Sequence, residues 1–431
     1  MGQRKKHFEC VLIVEGKVVM SFLNLMKKIT TQDCLKIIDA TGRATVCGQG
    51  EPSCTIRLHK KRLNWLLLYK SSVTFAEAYM NGDITIEKGD LRDLMAFIAK
   101  NYNNLASLRI FRVLDWLTSP TRYFRQANPL GRAKRNVAHH YDLSGELFDL
   151  FLDKDRQYSC AYFAEGLPKD DLERAQTAKK AHLAAKLNLN KPGLEILDIG
   201  SGWGGLGLYL AGQTQCRVEG ITLSMEQLKV SNARARESGL EKNCTFELKD
   251  YRTVNKRYDR IISVGMFEHV GRARYQAFFD KSRDLLKDDG VMVLHTIARF
   301  DPPGPVNAFI RKYIFPGGDI PSLSEMMVAI ERAGLYVTDI EVLRLHYAHT
   351  LELWYQRFHA NRDKAKALYD ERFCRLWELY LAASEMQFRY GDLNNLQLQI
   401  TRSINALPIT RDYLGREESK LMKPSRRTAA E

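Results

Sequence analysis

The run Leu194–Gly205, LEILDIGSGWGG, constrains this chain more than any other stretch. Leu194, Ile196, Leu197 and Ile199 form the short apolar run that a parallel strand buried on both faces requires. Asp198 lies near its carboxyl end. Gly200, Gly202, Gly204 and Gly205 then allow a tight turn and close approach to a ligand, before a helix beginning near Leu206. In open α/β sheets such a crevice receives nucleotides. A P-loop is excluded, because no GK[ST] follows.

The loop alone fits a dinucleotide fold, a plain tight turn or a loop that binds S-adenosylmethionine. Segments downstream recur at the βαβ spacing that builds a mostly parallel sheet through right-handed crossovers. Arg217–Thr222, Cys244–Lys249, Tyr258–Val264 and Val291–Ile297 read as strands, and Asn395–Thr401 as a late strand inserted at the edge. Ser224–Ser238 reads as a helix, with Ser224 as N-cap and Gln227 completing a capping box. The strand ends carry Gly200, Thr222, Asp250, Glu268 and His295, where a doubly wound sheet puts its site. An acidic residue ordinarily follows the second strand to hold a ribose; Thr222 stands there instead. Asp250 suits the adenine amino group as an acceptor, and equally suits a surface turn.

With 431 residues the chain has room for two or three domains. Its 65 Lys and Arg exceed 51 Asp and Glu, a net charge of +14 that favours a polyanionic partner: nucleic acid or an anionic membrane surface. A basic background that merely aids solubility is the plainer alternative. Eight cysteines include no CxxC pair, so neither zinc nor a disulfide framework is indicated, and reduced thiols fit the cytosol. Val11–Met20 is apolar but is interrupted by Glu15 and Lys17, too short and too charged for a membrane span or signal peptide. Membrane contact is therefore expected to be peripheral, and Met20 reads as the better start.

Residues 1–100 read as a small α+β module for binding or positioning, with an inert scaffold as the alternative. Its expected strands are Leu35–Ala40, Ala44–Val46 and Cys54–Leu58, and its helices Phe75–Tyr79 and Leu91–Ala99. Residues 101–135 interleave Arg109, Arg112, Arg122, Arg125 and Arg132 with Phe111, Trp116, Tyr123 and Phe124. That mixture grips anionic lipid or RNA, or serves as a linker packed on its neighbour. Residues 136–415 form the catalytic domain, mostly helical from Ser322 to Arg389. There Trp354, Tyr355, Phe358, Phe373, Trp377, Tyr380 and Phe388 make an aromatic stripe, core or tunnel wall. The polar tail 416–431 is expected to be disordered.

QYSCAYF at Gln157–Phe163, DIGSGWGG, GMFEHVG at Gly265–Gly271, LHTI at Leu294–Ile297 and KYIFPGG at Lys312–Gly318 occur in that order. Together they resemble the cyclopropane-fatty-acyl-phospholipid synthases, the mycolic acid cyclopropane synthase-like methyltransferases. The likeness runs from His140–Tyr141–Asp142 through the carboxyl-terminal strand, with a looser match in the amino-terminal module. Ser201 stands where Cys is common, and Ala298 stands where Gly is frequent, a change expected to narrow the acceptor pocket.

The resemblance implies an α/β, class I S-adenosylmethionine-dependent methyltransferase, Rossmann-like with a mostly parallel sheet, beside a small amino-terminal α+β domain. It implies transfer of a methylene from S-adenosylmethionine to the cis double bond of an unsaturated phospholipid acyl chain. An alkene is a poor nucleophile, and attack on the sulfonium methyl leaves a carbocation that must lose a proton for a ring to close. Such a site needs a dry apolar tunnel, π-faces or a negative field, and a base within reach.

By resemblance the base is a bicarbonate ion caged by Cys160 and Ile297 through their backbones and by Glu268, His295 and Tyr347. Catalysis by the Cys160 thiol is not required, since direct methyl transfer needs no covalent intermediate. Tyr158 and Ser159 would close over the donor, and Gly200, Gly202 and Trp203 cradle its methionine half. Thr222, Leu223 and Gln227 would border the ribose, Asp250 and Tyr251 the adenine, with Val264 and Phe267 lining the same pocket. No metal and no nucleic acid partner is implied. The expected setting is cytoplasmic, peripheral to the inner face of the membrane, as a homodimer. Methylation without ring closure is the nearest rival. Non-catalytic lipid binding is another, and intact Glu268, His295 and Tyr347 argue against it. RNA methylation ordinarily uses a Cys pair or an Asn/Asp-Pro-Pro-Tyr loop after the fourth strand, and MFEHV is neither.

Overall fold

The computed structural model describes residues 13–14, 17–18, 21–68, 71–106 and 144–422. Most of the basic aromatic stretch, 107–135, lies outside the described residues, as do His140–Tyr141–Asp142 and the chain beyond Met422.

In the amino-terminal module, strands β1 (Cys34–Ile38), β2 (Ala44–Gly48), β3 (Cys54–Leu58) and β4 (Ile84–Lys88) form one sheet in the order β2-β1-β3-β4. Sequence reading missed β4, whose half-buried ITIEK pattern carries a weak apolar signal. The helix Leu91–Ala106 lies along the helix Glu371–Tyr390 of the catalytic part. Across that contact Arg92 donates to Glu352 at 2.6 Å and to the wholly buried Glu385 at 2.8 Å. The aromatic stripe is mainly core: Trp354, Phe358, Trp377, Tyr380 and Phe388 are buried in one cluster with Leu35, Ile56 and Phe97 of the module.

The catalytic sheet contains β5 (Glu195–Ile199), β6 (Arg217–Thr222), β7 (Cys244–Leu248), β8 (Tyr258–Val264), β9 (Leu286–Arg299), β10 (Tyr336–Val342) and β11 (Leu393–Thr401). Its order is β10-β11-β9-β8-β5-β6-β7, with β11 antiparallel to both neighbours and the other pairs parallel. β11 is therefore interior, not at the edge. The edge is β10, inside a segment expected to be helical. Its alternation is broken by an irregular register between Val337 and Asp339, which hides the period-2 signal.

Register fixes which side chains share a face. Val264 pairs with His295, His295 with Gln397 and Gln397 with Glu341, and Asp198 pairs with Ile262. Alternation along β8 puts all of these on one face. The helix Leu172–Lys186 covers it, with Leu183, Ala184 and Leu187 against Ile196, Ile262 and Val293.

The tail begins in order. The helix Asp412–Leu421 packs on Leu172–Lys186, with Tyr413 and Leu414 buried beside Ala185. This corrects the expected disorder of residues 416–422: a polar segment with few apolar residues is held by charge. His182 bridges Glu341 at 2.6 Å and Glu418 at 3.1 Å. Burial pulls its pKa down, but hydrogen bonds to the two carboxylates prevail and raise it above the ordinary histidine value. A raised folded-state pKa contributes stability below the unfolded value, about pH 6.5, and loses it as pH rises through the folded value. Amides of Asp412–Leu421 are expected to exchange with deuterium more slowly at pH 6 than at pH 8, after correction for intrinsic rates. His182→Asn should abolish that difference.

Candidate active site

Glycines at the end of β5 shape a cleft along the carboxyl ends of β5, β6 and β8. Gly200 has φ +85°, and a Cβ there would come 2.8 Å from Met266. Gly204, at φ +83°, packs so closely on Phe246 and Ser231 that a Cβ would sit 2.8 Å from each. Lining residues include Tyr158, Ser159, Gly200, Gly202, Trp203, Thr222, Leu223, Gln227, Asp250, Tyr251 and Val264. Phe267 is the exception among the expected donor contacts. The 3-10 turn Phe267–His269 points it into the core against Tyr275, Phe278 and Phe279, and Met266 and His269 line the cleft instead.

Two polar details differ from expectation. The Ser224 hydroxyl accepts from the Gln227 amide, but the Gln227 side chain accepts from Thr222 Oγ1 at 2.7 Å, so no reciprocal capping box forms. A neutral Thr–Gln pair thus stands where a ribose carboxylate is usual. Asp250 is gripped by Arg252 at 2.6 and 2.8 Å, so only its remaining lone-pair capacity is available to adenine.

Behind the cleft lies a drier group. Glu268 follows β8, and its Oε1 accepts from the Ile297 amide on β9 at 2.6 Å. Its Oε2 is buried with no hydrogen-bond partner. Burial pushes this carboxyl up to about 7, against the lowering effect of the Ile297 amide. Two residues before Ile297, His295 contacts Gln397 through Nδ1 at 3.1 Å, while its buried Nε2 has no partner. Burial holds this imidazole well below its ordinary pKa, hence neutral.

The helix His346–Ala360 carries Tyr347 and meets the backbone beside Cys160. Its Thr350 accepts from the amide of Ala161, next to Cys160, and Tyr347 lies three residues before Thr350 on the same helix face. The Tyr347 ring packs against Phe388 at 4.7 Å and Trp354 at 5.9 Å. Cys160 is fully buried, which raises its thiol pKa and keeps it protonated, so only its backbone suits the site. Tyr158 lines the cleft and packs on the aromatic cluster behind it: its ring lies 5.2 Å from Trp354 and 5.4 Å from Phe148, and its hydroxyl meets that of Tyr380 at 2.8 Å. Sequence reading missed Gln397, which orients His295 from a strand distant in sequence, and Lys179, whose only signal is helical spacing.

Residues 129–398 match the family model described as mycolic acid cyclopropane synthetase. The chain belongs to that family. Residues 22–108 match a family of domains of unknown function. Over 380 residues, 86% of this chain and 94% of the relative, it is 34% identical to cyclopropane-fatty-acyl-phospholipid synthase of Escherichia coli strain K12. A probable fatty acid methyltransferase of Pseudomonas putida is 35% identical over 85% of this chain and 92% of its own. The crystal structure of mycolic acid cyclopropane synthase CmaA1 with SAH and CTAB matches with a TM-score of 0.59 at 35% identity. That match covers 64% of this chain and 99% of CmaA1. The protein is an S-adenosylmethionine-dependent methyltransferase of this family, and the glycine-walled cleft fits that donor. Among the described residues no His, Cys, Asp and Glu group suited to a metal ion is found, and no helix is long and apolar enough to cross a membrane.

A carboxylate whose folded pKa is raised destabilises the fold above its unfolded pKa, and the penalty grows until pH passes the folded value. Glu268→Gln keeps an acceptor for the Ile297 amide and removes that penalty. Its melting temperature is expected to exceed wild type at pH 8, by a free energy on the order of 3 kcal/mol, and to match it near pH 4.5. Turnover should fall by about 10²-fold or more. Melting curves at the two pH values and a methyl-transfer assay check both.

Proposed function

We propose that this enzyme transfers a methylene from S-adenosylmethionine to the cis double bond of a phospholipid acyl chain and closes a cyclopropane ring. The observation that carries this reading is the pair of buried, unpartnered atoms Glu268 Oε2 and His295 Nε2 behind the donor cleft. A plain methyltransferase acting on a nucleophilic nitrogen or oxygen has no need of a second dry polar site. Alkene methylation does, because a proton must leave after the methyl has transferred.

Cys160 and Ile297 through their backbones, with Glu268, His295 and Tyr347, would hold a bicarbonate ion. Bound there, bicarbonate supplies a base for the methyl proton. The chain's residues do the rest. The neutral His295 imidazole can donate from Nε2 when Nδ1 accepts from Gln397. The Glu268 carboxyl, poised near neutrality, accepts or donates at Oε2. The rings of Tyr158, Phe148 and Trp354 supply π-faces that steady cationic charge and exclude the water that would quench it.

The phospholipid reading draws on the E. coli relative's name and on the surface of the amino-terminal module. There Lys60, Lys61 and Arg62 are exposed beside Trp65, 48% exposed, and Leu66, 41% exposed. Basic charge beside aromatic and aliphatic side chains suits an anionic leaflet. This supports a peripheral enzyme at the inner face of the membrane. The homodimer belongs to the same reading.

Lipid mass spectrometry after incubation with S-adenosylmethionine and vesicles of cis-unsaturated phospholipid tests the reaction. One added methylene with loss of the double bond is expected, and Glu268→Gln should abolish it. The same mass gain with the double bond retained would support methylation without ring closure, which the name of the P. putida relative favours. Replacing Lys60, Lys61 and Arg62 together by Glu should reduce co-sedimentation with anionic vesicles at least tenfold, while the cleft still binds S-adenosylhomocysteine. Unchanged sedimentation would remove this surface from the reading.

A further inference from the structure

The cage lacks a cation. Glu268 is a carboxyl, His295 is held neutral, and Cys160 and Ile297 offer backbone groups, so an anion entering there gains dipoles but no opposing charge. Holding an anion out of water without a positive partner is costly.

Lys179 approaches this group from the side of Cys160 and His295. It is fully buried on the helix Leu172–Lys186, at a helical spacing of 3 and 7 residues from His182 and Lys186, which also face the sheet. Its Nζ donates to Gln157 Oε1 at 2.6 Å and to Ser159 Oγ at 2.9 Å. An ammonium has three N–H groups, so one remains. Among the described residues no carboxylate comes within ion-pair distance of Nζ. The neighbouring cations are taken: Lys180 pairs with Asp155, and Lys186 with Glu341 and Asp339. Asp155 is further occupied by Arg234.

Lys179 also sits where both halves of the site meet. Ser159 lines the donor cleft and precedes Cys160 of the cage. Asp198 and His295, on the sheet face beneath the helix, both feel the Lys179 charge, as does Cys160. Burial draws its own pKa down to about 8, leaving the ammonium form in the majority at neutral pH.

We propose that Lys179 is a positioning residue for the reaction. Its ammonium supplies the positive charge that retains an anionic base among Glu268, His295 and Tyr347, and its hydrogen bonds to Gln157 and Ser159 hold that ammonium in place. The inference rests on the reading of the cage given above. Asp153 and Asp155 act on this ammonium from beyond ion-pair distance, and no carboxylate contacts it, which leaves its remaining N–H for a bound anion.

The test uses the full chain in carbonate-depleted buffer, with sodium bicarbonate as probe and sodium chloride at equal ionic strength as control. Wild type is expected to gain thermal stability with bicarbonate. Lys179→Met should lose that gain, yet keep the stabilisation given by S-adenosylhomocysteine, and need at least tenfold more bicarbonate for half-maximal turnover. Ser159→Ala, which keeps the charge, should retain the bicarbonate gain. If Lys179→Met does not fold, Lys179→Gln carries the same comparison. A folded neutral variant with the wild-type bicarbonate gain overturns the role of Lys179 and leaves the cage standing. A wild type with neither a bicarbonate gain nor bicarbonate-dependent turnover overturns the cage itself, and Lys179 with it.

Discussion

The hydrogen bond from the Ile297 amide to Glu268 Oε1, at 2.6 Å, is the interaction around which the site is arranged. It joins the turn after β8 to β9, which continues past the end of β8 because β11 pairs along it as far as Arg299. One oxygen of the carboxyl is thereby fixed and dry, and the other is left without a partner. The backbone of Glu268 is tied as well, its carbonyl accepting from the Asp319 amide at 2.8 Å. A carboxyl so held keeps its orientation without side-chain rearrangement, which is what pre-organised chemistry needs.

That arrangement works against stability. Asp198 is pushed up to about 7, Glu268 likewise, Lys179 is drawn down to about 8, and His295 is kept neutral, each mainly by burial. Charged groups in an ordinary core pair and settle far from neutrality. Here three groups, Asp198, Glu268 and Lys179, stay near the midpoint of titration, the condition that suits proton movement at physiological pH. The surrounding fold bears the strain through the long β9–β11 pairing and the apolar cover of Leu183, Ala184 and Leu187.

Much of this was legible from local chemistry. The β5 run and its glycines and the strand-end positions of Glu268 and His295 follow from residue pattern and motif. What sequence reading missed depends on long-range pairing. β10 lacks a clean alternation because it is an edge with an irregular register, and β11 reads equally well as edge or interior strand until its partners are known. Phe267 sits in a motif, yet a 3-10 turn decides which way it points. The helix Asp412–Leu421 has too little apolar surface to announce itself and depends on His182, more than 200 positions earlier.

The amino-terminal module is more than an appendage to this chemistry. The helix Glu371–Tyr390 takes Arg92 of the module at Glu385 and presents Phe388 to Tyr347 and Tyr380 to Tyr158. Glu385 is wholly buried, and stripping one cation from a buried carboxylate costs about 3–5 kcal/mol. Arg389, on the same helix, can offset part of that loss, but it cannot tie the helix to the module. The module's contact therefore bears on the helix that positions two aromatic rings of the site. The lipid surface proposed at Lys60–Leu66 and the chemistry proposed at Glu268 thus lie on elements joined through packed side chains, the physical requirement for one to influence the other.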